Sequence, residues 1–408
     1  MRTTRRDPSR PLTVAHLTTV DQSLRYLLLA QLRAVRDLGG TAIGISAPGP
    51  WVEELEAEGI RHVPLHSSTR ANDPLADLRA ARELSRVLGR EQLDVLHTHN
   101  PKPGLYGRVV GRLQRVPVVV NTVHGLYATE DDPWPKRALV YSLEAVASRF
   151  SDAELVQNPE DLALMHRLHL SPKAELLGNG VDLTRFDETR FSPEERRALR
   201  ASFGAGDDTV VVGTVGRLVA EKGYPELIEA FLGLPGRERY RLVCAGGADP
   251  DKPDALDPRL LGRAEAEGVR FLGQRPDVDG LYAAMDVFVL ASHREGFPRA
   301  AMEAAATGRP VIATDVRGCR QVVDDGRNGL LVPVRDPAAL RAAIATLGTD
   351  PDRRARMGEQ SRMVARERFD ERRVVEIVLD TYARVARRKG VVLPGLTGPT
   401  GPTGWSNT

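Results

Sequence analysis

From Leu12 to about Asp182, short runs of β-branched and aliphatic residues alternate with stretches of helical period. The runs LTVAHL, TAIGIS, IRHVPL, DVLHTH, VPVVVNT and AELVQN predict strands, and amphipathic segments such as 23–38 predict helices between most of them. Strands this continuously apolar, separated by helix-length segments, are the pattern of a parallel sheet covered by helices. The stretch 186–203 is charged and contains a proline, which predicts a connection between domains. The pattern then restarts with VVVGTVG, YRLVCAGG, VRFLGQ, DVFVLAS, PVIATDV and GLLVP, again separated by helix-length segments. A last amphipathic stretch, 371–388, follows the helical pattern of 352–369 and has no strand after it.

The reading is therefore α/β, with two Rossmann-like, doubly wound parallel-sheet domains at 11–185 and 204–370, and a chain of 408 residues is long enough for two cores. Open α/β sheets bind ligands outside the carboxyl ends of their strands, so the active site is expected in a cleft that both domains face. Chemistry is accordingly sought at strand ends.

Composition narrows the classes. With 41% hydrophobic and 27% charged residues the chain is an ordinary globular one, and 57 basic against 55 acidic residues exclude a general nucleic-acid footprint. Cys244 and Cys319, the only cysteines, sit in apolar or glycine-rich segments, which fits a reducing compartment and predicts a cytoplasmic protein. MRTTRRDPSR lacks the apolar run and cleavage site of a signal peptide and reads as a frayed leader. No segment reaches the length of apolar residues needed to span a bilayer. The Pro/Gly/Thr-rich tail 394–408 reads as disordered.

The most informative segment runs from Ser292 to Glu303, SHREGFPRAAME, after the strand DVFVLAS. Gly296 permits close backbone approach and Pro298 suits a first helical position, so free N–H groups of the next turn would face phosphate or sugar oxygens. A plain strand-to-helix turn with two surface glutamates is the bland alternative. Were Glu295 and Glu303 both helical, eight residues would separate them by roughly 12 Å, beyond the roughly 5–9.5 Å of glycosidase pairs. They suit a grip on different parts of a ligand, with Glu303 assigned to a ribose and Glu295 to a sugar.

The second segment, GTVGRLVAEKG, runs from a strand into a glycine turn carrying Gly216, Arg217 and Lys222. A planar fork beside a mobile point charge suits a diphosphate leaving group, although solvated loop cations would give the same pattern. In the first half, His124 follows the strand VPVVVNT and stands beside a glycine, as a hydrogen-bond partner for a sugar hydroxyl. His97 and His99 form a His-x-His that makes a poor metal site without an acidic or cysteine partner, so no metal is expected. Thr19, Asp21 and Ser23 lie at the first strand's end, with Ser23 placed as an N-cap and Asp21 directed at an acceptor. Asp277 and Asp279 form an Asp-x-Asp, read as N-cap carboxylates rather than metal ligands. Two cationic faces, Arg79/Arg82/Arg86/Arg90 and Lys102/Arg108/Arg112/Arg115, would attract an anionic lipid surface or a pyrophosphate-linked acceptor.

These motifs resemble glycosyltransferase family 4, in order and over nearly the whole folded chain. GTVGRLVAEKG is similar to that family's donor-diphosphate segment, EGFPRAAME to its Glu-x7-Glu signature, and GNGVDLTRF to its interdomain segment. HLTTVDQSLRYLL, HTHNPKPGLYGR, TVHGLY and ATDVRGCRQVV are similar to capsular, exopolysaccharide and lipid-linked-oligosaccharide transferases that use UDP-sugars. The resemblance implies a GT-B fold whose final helix, 371–390, crosses back to the first domain, and a retaining mechanism without a metal or other cofactor. It implies donor contacts by Gly216, Arg217, Lys222, Glu295, Gly296, Phe297, Arg299, Ala300 and Glu303. It also implies a sugar contact by His124, with Thr19, Asp21, Ser23, His99 and Lys102 on the acceptor side. The family often carries Gly-Gly in the first strand-helix loop, where this chain has Thr18 and Thr19, so donor phosphate contact by that loop is not expected.

The implied partners are a nucleotide-sugar, a glycan or lipid-linked acceptor, and the inner face of the plasma membrane as a peripheral contact. A GT-B-fold UDP-sugar 2-epimerase and a non-catalytic sugar-nucleotide-binding protein are the competing readings. Sugar, acceptor and oligomeric state are not fixed by the sequence.

Overall fold

A computed structural model describes residues 10–71, 73–128, 132–248 and 254–396, so the leader before residue 10 and the tail from residue 397 lie outside the described residues. The chain divides into two compact units, one of residues up to 178 together with those from 372, the other of 179–371.

The first unit contains β1 (Thr13–Val20), α1 (Asp21–Leu27), α2 (Leu29–Asp37), β2 (Thr41–Ala47), α3 (Val52–Ala57), β3 (Arg61–Pro64) and α4 (Pro74–Arg90). It continues with β4 (Val95–His99), α5 (Pro101–Leu113), β5 (Val118–Val123), α6 (Trp134–Ala147), β6 (Ala153–Val156), α7 (Pro159–Arg167) and β7 (Ala174–Leu176). The second unit holds α8 (Pro193–Ser202), β8 (Val210–Val215), α9 (Tyr224–Leu232), β9 (Tyr240–Ala245), α10 (Pro258–Ala266), β10 (Arg270–Phe271) and α11 (Val278–Ala284). After these come β11 (Val287–Leu290), α12 (Arg299–Ala306), β12 (Val311–Thr314), β13 (Gly329–Val332), α13 (Pro337–Thr349) and α14 (Pro351–Arg368). A last helix, α15 (Glu371–Lys389), belongs to the first unit from residue 372 onward.

Both sheets pair in parallel throughout, in the orders β3-β2-β1-β4-β5-β6-β7 and β10-β9-β8-β11-β12-β13. The order reverses between β1 and β4 in one sheet and between β8 and β11 in the other. At such a switch point the crossovers depart in opposite directions and leave a crevice at the strands' carboxyl ends.

Each sheet is covered on both faces. In the first unit, α1, α2 and α15 bury Leu24, Leu28, Leu32, Val374, Val378, Leu379 and Val385 against Val14, Val95, Val118, Val120 and Leu155. The opposite face packs Leu84 and Leu88 of α4 onto Ile43, Ile45, Leu96 and Val119. In the second unit the same division places Phe231, Leu242, Val289 and Ile344 on one side and Phe288, Met302, Val364 and Phe369 on the other.

Several local readings change. The single helix expected over 23–38 is two, because the chain breaks at Leu28 and thereby buries both Leu28 and Leu29, which a straight helix would turn about 100° apart. The stretch 186–203 contains α8, started by a capping box between Ser192 and Glu195, with Leu199 packed on the second core. β7 is a strand that three residues with one buried side chain could not announce. At the ends, Arg10 pairs with Asp94, and Leu396 packs against the first unit's core, so the leader's last residue and the tail's first residues are held in place.

Arg108, placed by its helical spacing on a cationic face, points instead into the first unit and is 1% exposed. Its guanidinium donates to Glu144 at 2.7 Å, to Glu154 at 2.9 Å and to the Gly104 carbonyl at 2.5 Å. Asn121 donates to the other Glu154 oxygen at 2.7 Å. Burial pushes the Glu154 carboxyl up and Arg108 opposes that, which keeps the ion pair together. Arg108→Met would leave Glu154 buried without its cation and should cost about 3–5 kcal/mol. Urea unfolding of Arg108→Met beside the double variant Arg108→Met/Glu154→Leu checks this, with the double variant recovering much of the loss.

Candidate active site

In the second unit, β8 leaves the sheet at Val215 and the chain turns through Gly216, Arg217 and a 3-10 turn at Ala220–Lys222 before α9. Gly223 closes the turn with φ +71, and a Cβ there would stand 2.0 Å from the Ala291 carbonyl, so only glycine lets this loop lie against the end of β11. Tyr224 donates to the Gly216 carbonyl at 2.7 Å and sets the height of the turn. The loop after β11 meets it, with His293 N–H donating to the Glu221 carbonyl at 2.8 Å and the His293 ring 2.8 Å from Glu226.

Lys222 and Glu295, predicted separately, are brought together: the ammonium donates to the carboxylate at 2.6 Å. Each carries the other's counter-charge, and both are partly buried, with side chains 24% and 11% exposed. Gly318 supports the Glu295 backbone, since a Cβ would stand 2.6 Å from its carbonyl oxygen.

α12 starts at Arg299 with Pro298 as its N-cap, one residue later than the expected first-turn position, and no side chain caps it. Glu295 therefore precedes the helix, and the helical rise does not separate it from Glu303. Different partners do: Glu295 is held by Lys222, whereas Glu303 accepts from the Tyr282 hydroxyl at 3.0 Å. Burial, then the neighbouring Glu303, hold the Tyr282 phenol well above its ordinary range, so it stays a donor and fixes one Glu303 oxygen. Arg299 lies 3.7 Å from the other oxygen and donates to the Gly180 carbonyl at 2.8 Å. Asn179 donates to the Phe297 carbonyl at 3.2 Å. Ala300 lies half-buried in the first turn of α12, and Phe297 stands edge-on to Phe369 at 5.9 Å.

The roles of Tyr282 and Asn179 were missed. Nothing in the spacing of Tyr282 tells it from any buried aromatic, whereas the Asn-Gly pair at 179–180 was a visible signal without a structural role attached. Asp277 stands at the N-cap of α11 and Asp279 in its first turn, as expected, but the Asp277 side chain makes no cap hydrogen bond and pairs with Arg275 at 2.6 Å, while Asp279 pairs with Arg190 at 2.9 Å. Arginines, rather than helix N–H groups, satisfy these carboxylates.

In the first unit the acceptor-side candidates divide. Asp21 is 4% exposed and binds backbone, accepting from the N–H groups of Gln22 and Trp51 at 2.8 Å each. Ser23 caps nothing, because α1 begins at Asp21 with Val20 as its N-cap. Lys102 is paired with Asp77 at 3.0 Å, and Arg112 with Asp152 at 2.8 Å. Thr19 N–H donates weakly to Asn100 at 3.3 Å.

His99 is buried and joined on both sides to other histidines, with Nε2 3.0 Å from His16 Nδ1 and Nδ1 3.0 Å from His124 Nε2. Ring nitrogens of His16, His97 and His99 lie within 4.8 Å of one another, a third histidine that the His-x-His pattern did not reveal. His97 is already engaged, at 2.6 Å by Tyr382 and at 2.7 Å by Thr122. Loss of hydration lowers all four rings, His16 to about 3, His124 to about 4, and His97 and His99 well below the ordinary value.

Two all-parallel Rossmann-like units whose polar residues gather at the switch points define a GT-B fold. The model of Glycosyltransferase Family 4 matches residues 27–185 and that of Glycosyl transferases group 1 matches 195–364. EpsD of Bacillus subtilis (strain 168), itself assigned only provisionally as a glycosyltransferase, is 30% identical over 90% of this chain and 94% of its own. The D-inositol 3-phosphate glycosyltransferase of Corynebacterium efficiens is 32% identical over 67% of each chain. The UDP-Gal:alpha-D-GlcNAc-diphosphoundecaprenol alpha-1,3-galactosyltransferase of Escherichia coli is 28% identical over 74% of this chain and 78% of its own. Among solved structures, Anabaena HepE in complex with UDP and glucose superposes with a TM-score of 0.77 at 21% identity, covering 91% of this chain and 100% of that one. The chain belongs to glycosyltransferase family 4.

Because the four rings have lower pKa values folded than their ordinary 6.5, the unfolded chain binds more protons below that pH. Stability should therefore fall as pH drops from 6.5 to 5, by up to about 2 kcal/mol for each ring kept neutral. A urea midpoint that stays level from pH 7 to pH 5 would contradict the buried neutral chain.

Proposed function

We propose that the protein is a retaining, metal-independent hexosyltransferase. It moves a hexose or N-acetylhexosamine from a UDP-sugar to a hydroxyl of a glycan or lipid-linked acceptor in the assembly of surface polysaccharide or glycoconjugate. The observation that carries this is the Lys222–Glu295 pair at the β8/β11 switch point, beside Arg217 and the uncapped start of α12. A diphosphate arriving there draws Lys222 onto its oxygens and releases Glu295 to a sugar hydroxyl, so donor binding exchanges one ion pair for another. Arg217 adds a bidentate fork, and Gly296, Phe297, Arg299 and Ala300 bring backbone N–H groups to the sugar and phosphates. Glu303, held through one oxygen by Tyr282, takes the ribose hydroxyls. Its ring turned toward His99, His124 is assigned to a hydroxyl of the sugar or acceptor through its remaining nitrogen.

No side chain here is placed as a covalent nucleophile, so the acceptor attacks the donor's front face while the leaving diphosphate takes its proton. Positioning and charge stabilisation supply most of the rate. The UDP in the HepE complex and the UDP-Gal in the Escherichia coli relative's name support the nucleotide, and that relative's diphosphoundecaprenol acceptor supports a lipid-linked one. The Corynebacterium relative favours a second acceptor reading, a cyclitol phosphate.

A panel of UDP-, GDP- and ADP-sugars, each with and without a lipid-diphosphate glycan or inositol phosphate and each with and without EDTA, tests the reading. UDP-sugar turnover that survives EDTA is expected. Formation of a 2-epimer from UDP-N-acetylglucosamine alone would move the protein to the isomerases. Arg217→Ala and Lys222→Ala should each lose about 2–4 kcal/mol of transition-state stabilisation, and unchanged kcat/KM in either would remove the clamp.

The proposed location is cytoplasmic, peripheral on the inner face of the plasma membrane. Among the described residues no helix is long and apolar enough to cross a membrane. Arg79, Arg82, Arg86 and Arg90 remain as an exposed row along α4, although Arg108 has left the second cationic face for the core. Flotation with vesicles of anionic lipid should capture the protein, and Arg82→Glu/Arg86→Glu should reduce the bound fraction at least twofold. Equal flotation with neutral and anionic vesicles would count against the contact.

A further inference from the structure

One face of the first sheet changes character along its strands. Toward the amino ends it is apolar, with Val14, Val95, Val118, Val120, Ala153 and Leu155 under α15. Two residues further along the same face the positions become His16, His97, Thr122 and Gln157, and then His99 and His124. The parallel register sets these side by side, pairing His16 with His97 and His99 with Thr122. Side chains so polar, all buried but the half-buried His124, must satisfy one another.

They do so as a chain. Tyr382 of α15 stands 2.6 Å from His97 Nδ1 and 3.5 Å from His16 Nε2. His16 Nδ1 meets His99 Nε2 at 3.0 Å, and His99 Nδ1 meets His124 Nε2 at 3.0 Å. His97 Nε2 ends the side branch on Thr122 at 2.7 Å.

A neutral imidazole has one N–H and one lone pair, so rings bonded at both nitrogens order their protons head to tail. Two orders fit. When Tyr382 donates to His16, His97 donates to Tyr382, His16 and His99 donate from Nδ1, and His124 carries its proton on Nδ1. When Tyr382 donates to His97, every bond reverses and His124 carries its proton on Nε2, leaving Nδ1 an acceptor. Thr122 can donate or accept and so chooses neither order. The branch point is a hydroxyl with one proton, and at 2.6 Å from His97 against 3.5 Å from His16 that proton goes to His97, which selects the second order.

We propose that Tyr382 is a positioning residue for His124: its hydroxyl, shared between His97 and His16, fixes through His99 which nitrogen of His124 carries the proton. This rests on the reading that His124 Nδ1 addresses a ligand hydroxyl, and it makes that nitrogen an acceptor. The arrangement also accounts for a helix residue far along the sequence contacting the strand-end histidines through its only polar atom.

The three-imidazole cluster is a candidate metal site by proximity alone, since both nitrogens of His97 and of His99 are already hydrogen-bonded. Two positive charges among neutral rings, with no carboxylate or thiolate to balance them, would also be expensive to bury.

The test is long-range 1H–15N spectroscopy of full-length protein labelled at histidine, with rings assigned by single His→Gln variants. In the wild type His124 should show one tautomer, with its two nitrogens widely separated in shift. In Tyr382→Phe, which keeps the packed ring, the His124 nitrogens should move toward each other as the orders mix. His99→Gln, which cuts the chain one link from His124, should change His124 in the same way, so that neither change depends on one variant folding. A His124 spectrum untouched by Tyr382→Phe overturns the proposal. So does zinc, added at one equivalent, shifting His16, His97 and His99 together. Kinetically, Tyr382→Phe should lower kcat/KM about three- to tenfold, the worth of one misdirected neutral hydrogen bond. With His124→Ala the double variant should lose no more than His124→Ala alone, and additive losses would contradict the relay. A wild type without sugar turnover would fail the transferase reading, while the spectra would still decide the proton order.

Discussion

A parallel sheet is the constraint on which the rest of this protein depends. Every crossover returns the chain to the same edge, so helices must cover both faces and the strands between them must be apolar. Polar side chains then have one place to gather without breaking the core, the carboxyl ends of the strands. In the first unit the polar side chains run from mid-strand to that edge, from His16 and His97 to His99 and His124, and in the second the edge holds Gly216, Arg217, Lys222 and Glu295. The reversal of strand order between β1 and β4, and between β8 and β11, opens the crevice beside each group.

The two groups solve opposite electrostatic problems. The second unit's residues are charged and only partly buried, so Lys222 and Glu295 neutralise one another at 2.6 Å and can part when a ligand offers a stronger partner. The first unit's residues are buried deeply enough that charge would be costly, and they remain neutral by passing hydrogen bonds along a line of rings. Where a charge is buried there, in Arg108, three acceptors surround it. A replaceable pair is what the proposed diphosphate site requires, and a fixed chain is what the proposed orientation of His124 requires.

Most strands and their order along the chain were legible from the apolar runs, and the loops 213–223 and 292–303 were legible because glycine, proline and charge at strand ends have few other uses. Other features were not. Ser23 has the chemistry of an N-cap and Asp21 that of an acceptor-side carboxylate, but the helix starts two residues before Ser23 and the carboxylate accepts from the backbone of Gln22 and Trp51. Arg108 has the spacing of a surface cation, yet it faces Glu154, a residue 46 positions away that no periodicity links to it. The third ring beside His97 and His99, that of His16, was not legible because it comes from a strand placed beside them only by the sheet order.

The sequence by itself determined the α/β class, the restart of the pattern at the second sheet and the residue types at each strand end. Those follow from local periodicity and from the chemistry of single residues. Tertiary structure alone decided which residues meet: Lys222 with Glu295, Tyr282 with Glu303, and Tyr382 with two histidines more than 280 positions before it. Strand order and helix crossing place atoms within hydrogen-bonding range across distances in sequence over which no pattern of neighbours carries information.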